Sequence, residues 1–195
     1  MDLSEPVLTV CSLKSRLSIK DSLHWQNDTS RQEAFKVHKD TETIFLRFRK
    51  NLASRPSHIE LINYPLFSVY EYEITEYLNE LSIFYEFTDY AVIIANLKSN
   101  GGTINMHVDK GPYFQKSHRI HIPIRTNDLS IFFIGNIELH MKENIAYEIG
   151  NTNHRHGVIN KGECDRYHLI FDLFDSLIIC HESKFVLFHK FERSI

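Results

Sequence analysis

The chain has 195 residues, 43% of them hydrophobic and 24% charged, with a formal net charge of −3. That profile suits one soluble globular domain, long enough to bury a sizeable core. The small negative charge argues against a nucleic acid or an anionic membrane surface as partner. The three cysteines (Cys11, Cys164, Cys180) fit neither a disulfide framework nor a thiolate zinc site, so a reducing cytoplasm is the expected compartment. No basic segment followed by an apolar run opens the chain, so no signal peptide is expected. No apolar run reaches the roughly 18 residues of a spanning helix.

Residues 1–40 read as polar and irregular, with the single tryptophan, Trp25, assigned to the core. The run ETIFLRF alternates and is rich in β-formers, which predicts a strand, and RPSH marks a break after it. From about Leu66 to Phe84, apolar residues recur at Val69, Tyr70, Ile74, Tyr77, Leu78 and Leu81. This is the one-faced spacing of a helix laid over a sheet. Beyond Tyr90 the texture changes. YAVIIANL, TINMHVD, HRIHIPIR, LSIFFIG, IELHM, AYEI, HGVIN and YHLIFDLF follow one another, with turn-type residues between them. Such closely spaced short strands predict an all-β sandwich or barrel, here a jelly roll over residues 90–175. Residues 1–89 would form an α/β extension packed outside it, and 176–195 a closing strand or helix.

Within this barrel, His107 and Asp109 stand at spacing two, which on a strand directs both side chains to one face. Downstream, GNTNHRHGVIN supplies a third group at the start of a late strand, either His154 or His156. Two imidazoles and a carboxylate on two strands match the facial triad of non-haem Fe(II) oxygenases, which leaves metal positions open for cosubstrate and O₂. His118, His140 and His181 read as hydrogen-bonded wall or surface residues. Arg166 lies in the last β-run. A cation buried there is costly unless an anion meets it, and its planar fork suits a carboxylate.

These blocks, with FKVHKDTETIFLRF, LKSNGGTINMHVDKGP, RIHIPI and YEIGNTNHRHGVINKGECDRYHLIFD, resemble the aspartyl/asparaginyl β-hydroxylase family of Fe(II)/2-oxoglutarate dioxygenases, over most of the chain from Ala34 to Asp172. The resemblance implies a double-stranded β-helix, cupin-like in form. It implies His107, Asp109 and His156 as iron ligands, with Arg166 holding the far carboxylate of 2-oxoglutarate. It places Arg119 and His121 near the cosubstrate's other carboxylate, and Asn96 as a further polar contact. The intact His-x-Asp is more like the bacterial members, some of which hydroxylate free amino acids. A free amino acid or small derivative is therefore the expected substrate, with an Asp or Asn side chain in a peptide as the alternative. Lys110, Arg125 and Arg155 would line the substrate mouth, while Tyr113 reads as a solvated loop residue. A zinc or manganese isomerase or hydrolase, and a non-catalytic barrel that keeps the ligands, are the competing classes.

Overall fold

The computed structural model describes residues 8–26, 28–50, 60–150 and 152–175. In chain order the strands begin with β1 (Leu8–Ser12), β2 (Thr41–Arg49) and β3 (Leu61–Asn63). Then come β4 (Asp89–Leu97), β5 (Gly102–His107), β6 (Ser117–Arg125), β7 (Ser130–Ile134), β8 (Ile137–Leu139), β9 (Ile145–Ile149), β10 (His156–Asn160) and β11 (Arg166–Phe174). The helices are α1 (Ser30–Ala34), α2 (Phe67–Leu81) and α3 (Pro112–Gln115), with short 3-10 turns at Ser22–Gln26 and Lys36–His38.

Two antiparallel sheets face each other, one ordered β1-β9-β6-β11-β4-β2-β3 and the other β5-β10-β7-β8. From β4 onward the chain passes back and forth between them. Their interleaved order is that of a double-stranded β-helix, the jelly roll expected from the sequence. Each of the β-runs after Tyr90 forms one of the strands β4 to β11.

Residue parity along each strand sorts inside from outside. On β11, Tyr167, Leu169, Phe171 and Leu173 join Val92 and Ile94 of β4 and Ile120 and Ile122 of β6 in one apolar cluster on the outer face of the larger sheet. Helix α2 covers that face with Phe67, Tyr70, Ile74, Tyr77 and Leu81, a three-four-three-four stripe. Glu80 sits in the last turn of α2, where a negative charge opposes the helix dipole. Its carboxylate accepts the backbone N–H groups of Lys14 and Ser15, both at 2.6 Å, and so ties the N-terminal segment to the helix.

Residues 1–40 depart from the irregular layer expected. The short run LTVCS forms β1 and pairs with β9 through Leu8↔Ile149 to Ser12↔Ile145. Leu13, Leu17 and Trp25 are buried in the outer cluster. Trp25 packs at a tilt against Tyr167, with ring centroids 5.1 Å apart. The extension is not simply packed outside the barrel. β2 pairs with β4, and β3 with β2, so the larger sheet runs on into it. The RPSH break, Cys180, His181 and the closing element expected over 176–195 lie outside the described residues. Among the described residues no helix is long and apolar enough to cross a membrane.

Two close approaches explain glycines beside the site. The β4–β5 turn carries positive φ at Asn100 (56°) and Gly101 (103°), and a Cβ on Gly102 would stand 2.3 Å from the Lys98 carbonyl oxygen. A Cβ on Gly157 would meet the Ile104 carbonyl at 2.8 Å, where β10 crosses β5 and the ladder register shifts. Only a glycine lets β10 lie this close to β5 immediately after His156. Asn160 pins the far end of β10. Its amide donates to the carbonyls of Leu97, Lys98 and Cys164, and its oxygen accepts from Asn127 and Gly162.

Candidate metal centre

The β5–β10 ladder sets His156 directly opposite His107. Asp109 follows two residues after His107, as the chain leaves β5. One ligand atom from each of His107, Asp109 and His156 lies within 4.8 Å of the others. His107 Nε2 is 3.5 Å from Asp109 Oδ1, His156 Nε2 is 3.9 Å from Asp109 Oδ2, and the two imidazole centroids are 4.4 Å apart. Each ring turns its other nitrogen to the backbone: His107 Nδ1 meets the Asn105 carbonyl at 2.8 Å and His156 Nδ1 the His154 carbonyl at 3.3 Å. A carbonyl can only accept, so Nδ1 carries the proton and the Nε2 lone pair faces the carboxylate, as metal ligation requires. Burial lowers the His156 pKa to about 4, with Asp109 opposing and His107 reinforcing the shift, so this imidazole is neutral at pH 7. Phe132 lies parallel to it, 3° between the planes, and fixes the ring's tilt.

His154 is not in this group. Its carbonyl orients His156, while its ring packs over Gly150. His118 pairs with Glu148, and His140 lies near Asp128 and the Ser130 carbonyl; neither reaches the centre.

Inward-facing residues of β6 and β11 continue from the metal group along the barrel. Asp172 faces Arg119, Ile170 faces His121, and His168 faces Pro123, each step about 6.6 Å along the strand. Arg166 ends the row. It is 5% exposed, and among the described residues no carboxylate forms an ion pair with it. Its Nη2 donates to His168 Nδ1 at 2.9 Å, which leaves the His168 proton on Nε2. Burial alone lowers the Arg166 pKa to about 9. The Nε2 atoms of His168 and His121 are both buried without a hydrogen-bond partner among the described residues. One buried cation and two buried polar atoms thus stand in one row on the inner face of the sheet. His121 spans the two ends, with the charged Arg119, Arg166 and Asp109 and the His156 imidazole among its neighbours.

Arg119 differs from expectation. Its guanidinium is bound on both sides, Nε and Nη2 to Asp172 at 2.6 and 2.8 Å and Nη1 to Asp109 Oδ2 at 3.0 Å. Asn96 is not brought to the centre. It shares a parity with Val92 and Ile94, and so projects from the outer face, where its amide donates to Glu42 and Asp165. Tyr113 is no solvated residue. It is 5% exposed and donates to Asp172 Oδ2 at 2.7 Å, because α3 folds back over β6. Arg125 is exposed over the ring of Tyr167 on the outer sheet face, beside a cleft of about 350 Å³ lined also by Trp25 and Ile124, away from the metal group. Lys110 and Arg155 are exposed, and Arg155 donates to the Met106 carbonyl.

Four residues that sequence reasoning left aside complete the surroundings. Asp172 and His168 are lone polar residues in an apolar strand on the parity of Arg166, a signal that points inward. Arg31, from α1, donates to Thr43 Oγ1 at 3.2 Å. Burial and then Arg119 lower its pKa to about 10, against the pull of Asp109 and Asp172. His38 is 9% exposed, stands edge-on to His107 with centroids 6.1 Å apart, and is pushed down to about 2, chiefly by burial and by Arg31.

The buried histidines make acid stability a direct readout. Burial, with Arg119 and Arg166 for His121 and with Arg166 for His168, holds both pKa values well below 6.5. Below about pH 6.5 the unfolded chain takes up protons that the native chain does not, so stability falls as pH drops. The expected slope is about 1.4 kcal/mol per pH unit for each such histidine. Urea unfolding of the metal-free protein at pH 7.5, 6.5 and 5.5 checks it, and a midpoint flat across this range would contradict it.

No protein-family model matches the chain, and no curated protein matches it. Solved structures similar in chain path include a 2OG-Fe(II) oxygenase family oxidoreductase from Burkholderia pseudomallei, at 16% identity, covering 70% of this chain and 69% of that one with a TM-score of 0.49. The viral collagen prolyl hydroxylase of Paramecium bursaria Chlorella virus-1, in its 2OG complex, is similar at 10% identity over 86% and 95% of the two chains, TM-score 0.46. A Pseudomonas putida prolyl-4-hydroxylase follows at 9% identity over 71% and 74%, TM-score 0.42.

Proposed function

We propose that the chain is an Fe(II)/2-oxoglutarate-dependent dioxygenase that hydroxylates an unactivated C–H bond of a free amino acid or small amino-acid derivative. The observation that carries this reading is Arg166, a buried cation with no carboxylate partner among the described residues, at the far end of the inward-facing row that leads from His107, Asp109 and His156. A zinc or manganese isomerase needs no such anion place opposite its metal.

The donor set fits iron. Two imidazoles and one carboxylate on a single face would leave positions open, the arrangement typical of non-haem Fe(II) oxygenases. When bound, iron with 2-oxoglutarate and O₂ supplies the oxidation, with succinate and CO₂ formed and one oxygen atom delivered to the substrate. The chain's own residues do the rest. His107, Asp109 and His156 hold the metal. Arg166 and His168 Nε2–H, reached along the row of inward-facing residues, receive the far carboxylate of the cosubstrate, and His121 lines the path between. Phe132, packed against both His156 and His121, keeps water from that path.

A compact substrate is favoured by the approach to the metal. The ligand side chains of His107, Asp109 and His156 are only 19, 11 and 7% exposed, and His38 and Arg31 close in from the N-terminal segment. Arg31 makes no ion pair among the described residues, and it suits an anionic group such as an amino-acid carboxylate.

Anaerobic Fe(II) titration with and without 2-oxoglutarate tests the chemistry. A weak visible charge-transfer band is expected only when both are present, and its absence would remove the dioxygenase reading. Screening free amino acids and short Asp- or Asn-containing peptides for coupled succinate release and a mass gain of one oxygen atom tests the substrate class. Turnover of peptides alone would move the assignment to side-chain hydroxylation of Asp or Asn within a polypeptide.

A further inference from the structure

Resemblance assigns Arg119 to the cosubstrate, yet its hydrogen bonds lead elsewhere. Three of its N–H groups already meet protein carboxylates: Nε and Nη2 form a two-pronged fork on Asp172, and Nη1 reaches Asp109 Oδ2. Asp172 is the residue directly across the β6–β11 ladder, so the fork is built by strand register and needs no induced movement. Asp172 is itself held by the Tyr113 hydroxyl at 2.7 Å. Phe114 lies against the guanidinium, 4.5 Å from ring centroid to Cζ. With one edge forked and a ring packed against it, the guanidinium has no freedom to rotate. Burial opposes its charge, but Asp172 and then Asp109 outweigh that and raise the pKa above the ordinary arginine value.

We infer that Arg119, braced by Asp172 and Tyr113, is a positioning residue for the carboxylate ligand Asp109. It engages Oδ2 and turns Oδ1 towards His107, so that Asp109 serves the metal through one oxygen. A carboxylate that bound through both oxygens would occupy a position the cosubstrate or O₂ needs. This inference rests on the metal reading above and changes its account of Arg119. A cosubstrate contact would matter only when 2-oxoglutarate is present. A clamp on Asp109 matters to the bare metal.

The two roles separate in a titration with Co(II) alone, followed by 2-oxoglutarate binding at saturating metal. Arg119→Gln and Asp172→Asn are expected to weaken Co(II) binding by about 10–100-fold, the usual cost of losing a partner that orients a ligand. Both are expected to shift the visible Co(II) absorption band as Asp109 gains its second oxygen. Arg119→Lys, which keeps the charge without the fork, should recover part of the affinity. Tyr113→Phe, which removes only the brace, should weaken Co(II) binding a few-fold and keeps the test open if a charge-altering variant does not fold. If folded Arg119→Gln keeps wild-type Co(II) affinity and spectrum, the clamp is overturned, and a loss of 2-oxoglutarate affinity alone would return Arg119 to the cosubstrate. Failure of the wild-type protein to bind Co(II) would overturn this inference and the metal reading together. Wild-type binding with unaffected variants would overturn the clamp only.

Discussion

Replacing His156 by alanine is expected to abolish tight divalent-metal binding and all Fe(II)-dependent turnover while the barrel stays folded. The same holds for His107→Ala and Asp109→Ala. Each supplies one ligand atom to a group less than 5 Å across, on strands β5 and β10 or immediately after β5. A partner that merely orients a ligand is worth about 10–100-fold in affinity, and a ligand itself is worth more. Folding should survive because the apolar clusters, the helix stripe and the Asn160 network are untouched. His154→Ala is the matched control. It removes a ring that packs on Gly150 and leaves in place the backbone carbonyl that orients His156. Iron content after anaerobic reconstitution, with circular dichroism as the check on folding, decides the matter. Loss of iron from His154→Ala with retention in His156→Ala would reverse the ligand assignment.

Arg166→Met should give a paired signature. In the ligand-free protein it removes a buried cation that no carboxylate among the described residues compensates, and filling the site with an apolar chain of similar length is expected to raise the unfolding midpoint. In the metal-loaded protein the same change would remove the partner proposed above for the cosubstrate's far carboxylate. Breaking such a desolvated pair costs on the order of 3–5 kcal/mol, or about 10²–10⁴-fold in 2-oxoglutarate affinity. Metal affinity should not move. Arg166→Lys should recover the affinity only in part, because an ammonium lacks the fork. Calorimetric titration of 2-oxoglutarate into the metal-loaded variants measures this. Equal affinity in wild type and Arg166→Met would take away the main support for 2-oxoglutarate as cosubstrate.

Most of the barrel was legible because its strands alternate. Once β11 is aligned against β4 and β6, parity alone separates the apolar outer set from Arg166, His168 and Asp172 within. The same parity places Asn96 outside, with Val92 and Ile94, a distinction that a motif comparison does not make. The first forty residues were less legible. LTVCS is short and runs on into LKSRLSIK with no Gly, Pro, Asn or Asp to end it, and its partner β9 lies far along the chain, so only tertiary pairing makes it a strand. Tyr113 follows Gly111 and Pro112, which mark a turn and suggest solvent. Its burial arises from the fold-back of α3 onto β6, and no local pattern records that. The choice between His154 and His156 depends on the β10 register, which places His156 opposite His107. Arg119 was found by its motif, while its partners Asp172 and Asp109 emerge only when two strands are laid side by side.

The ladder that sets His156 opposite His107 joins segments far apart in sequence, with the strands β6 to β9 formed between them. Contacts of such long range carry a high loop-closure cost and close late in folding. The complete set of ligands therefore comes together only once the barrel has closed, and neither half of the chain presents it alone. Metal would accordingly add little to the speed of folding and much to the barrier against unfolding, since it binds what the transition state has yet to assemble. On the proposed function, iron supply would then determine how long each molecule persists, and not only whether it turns over.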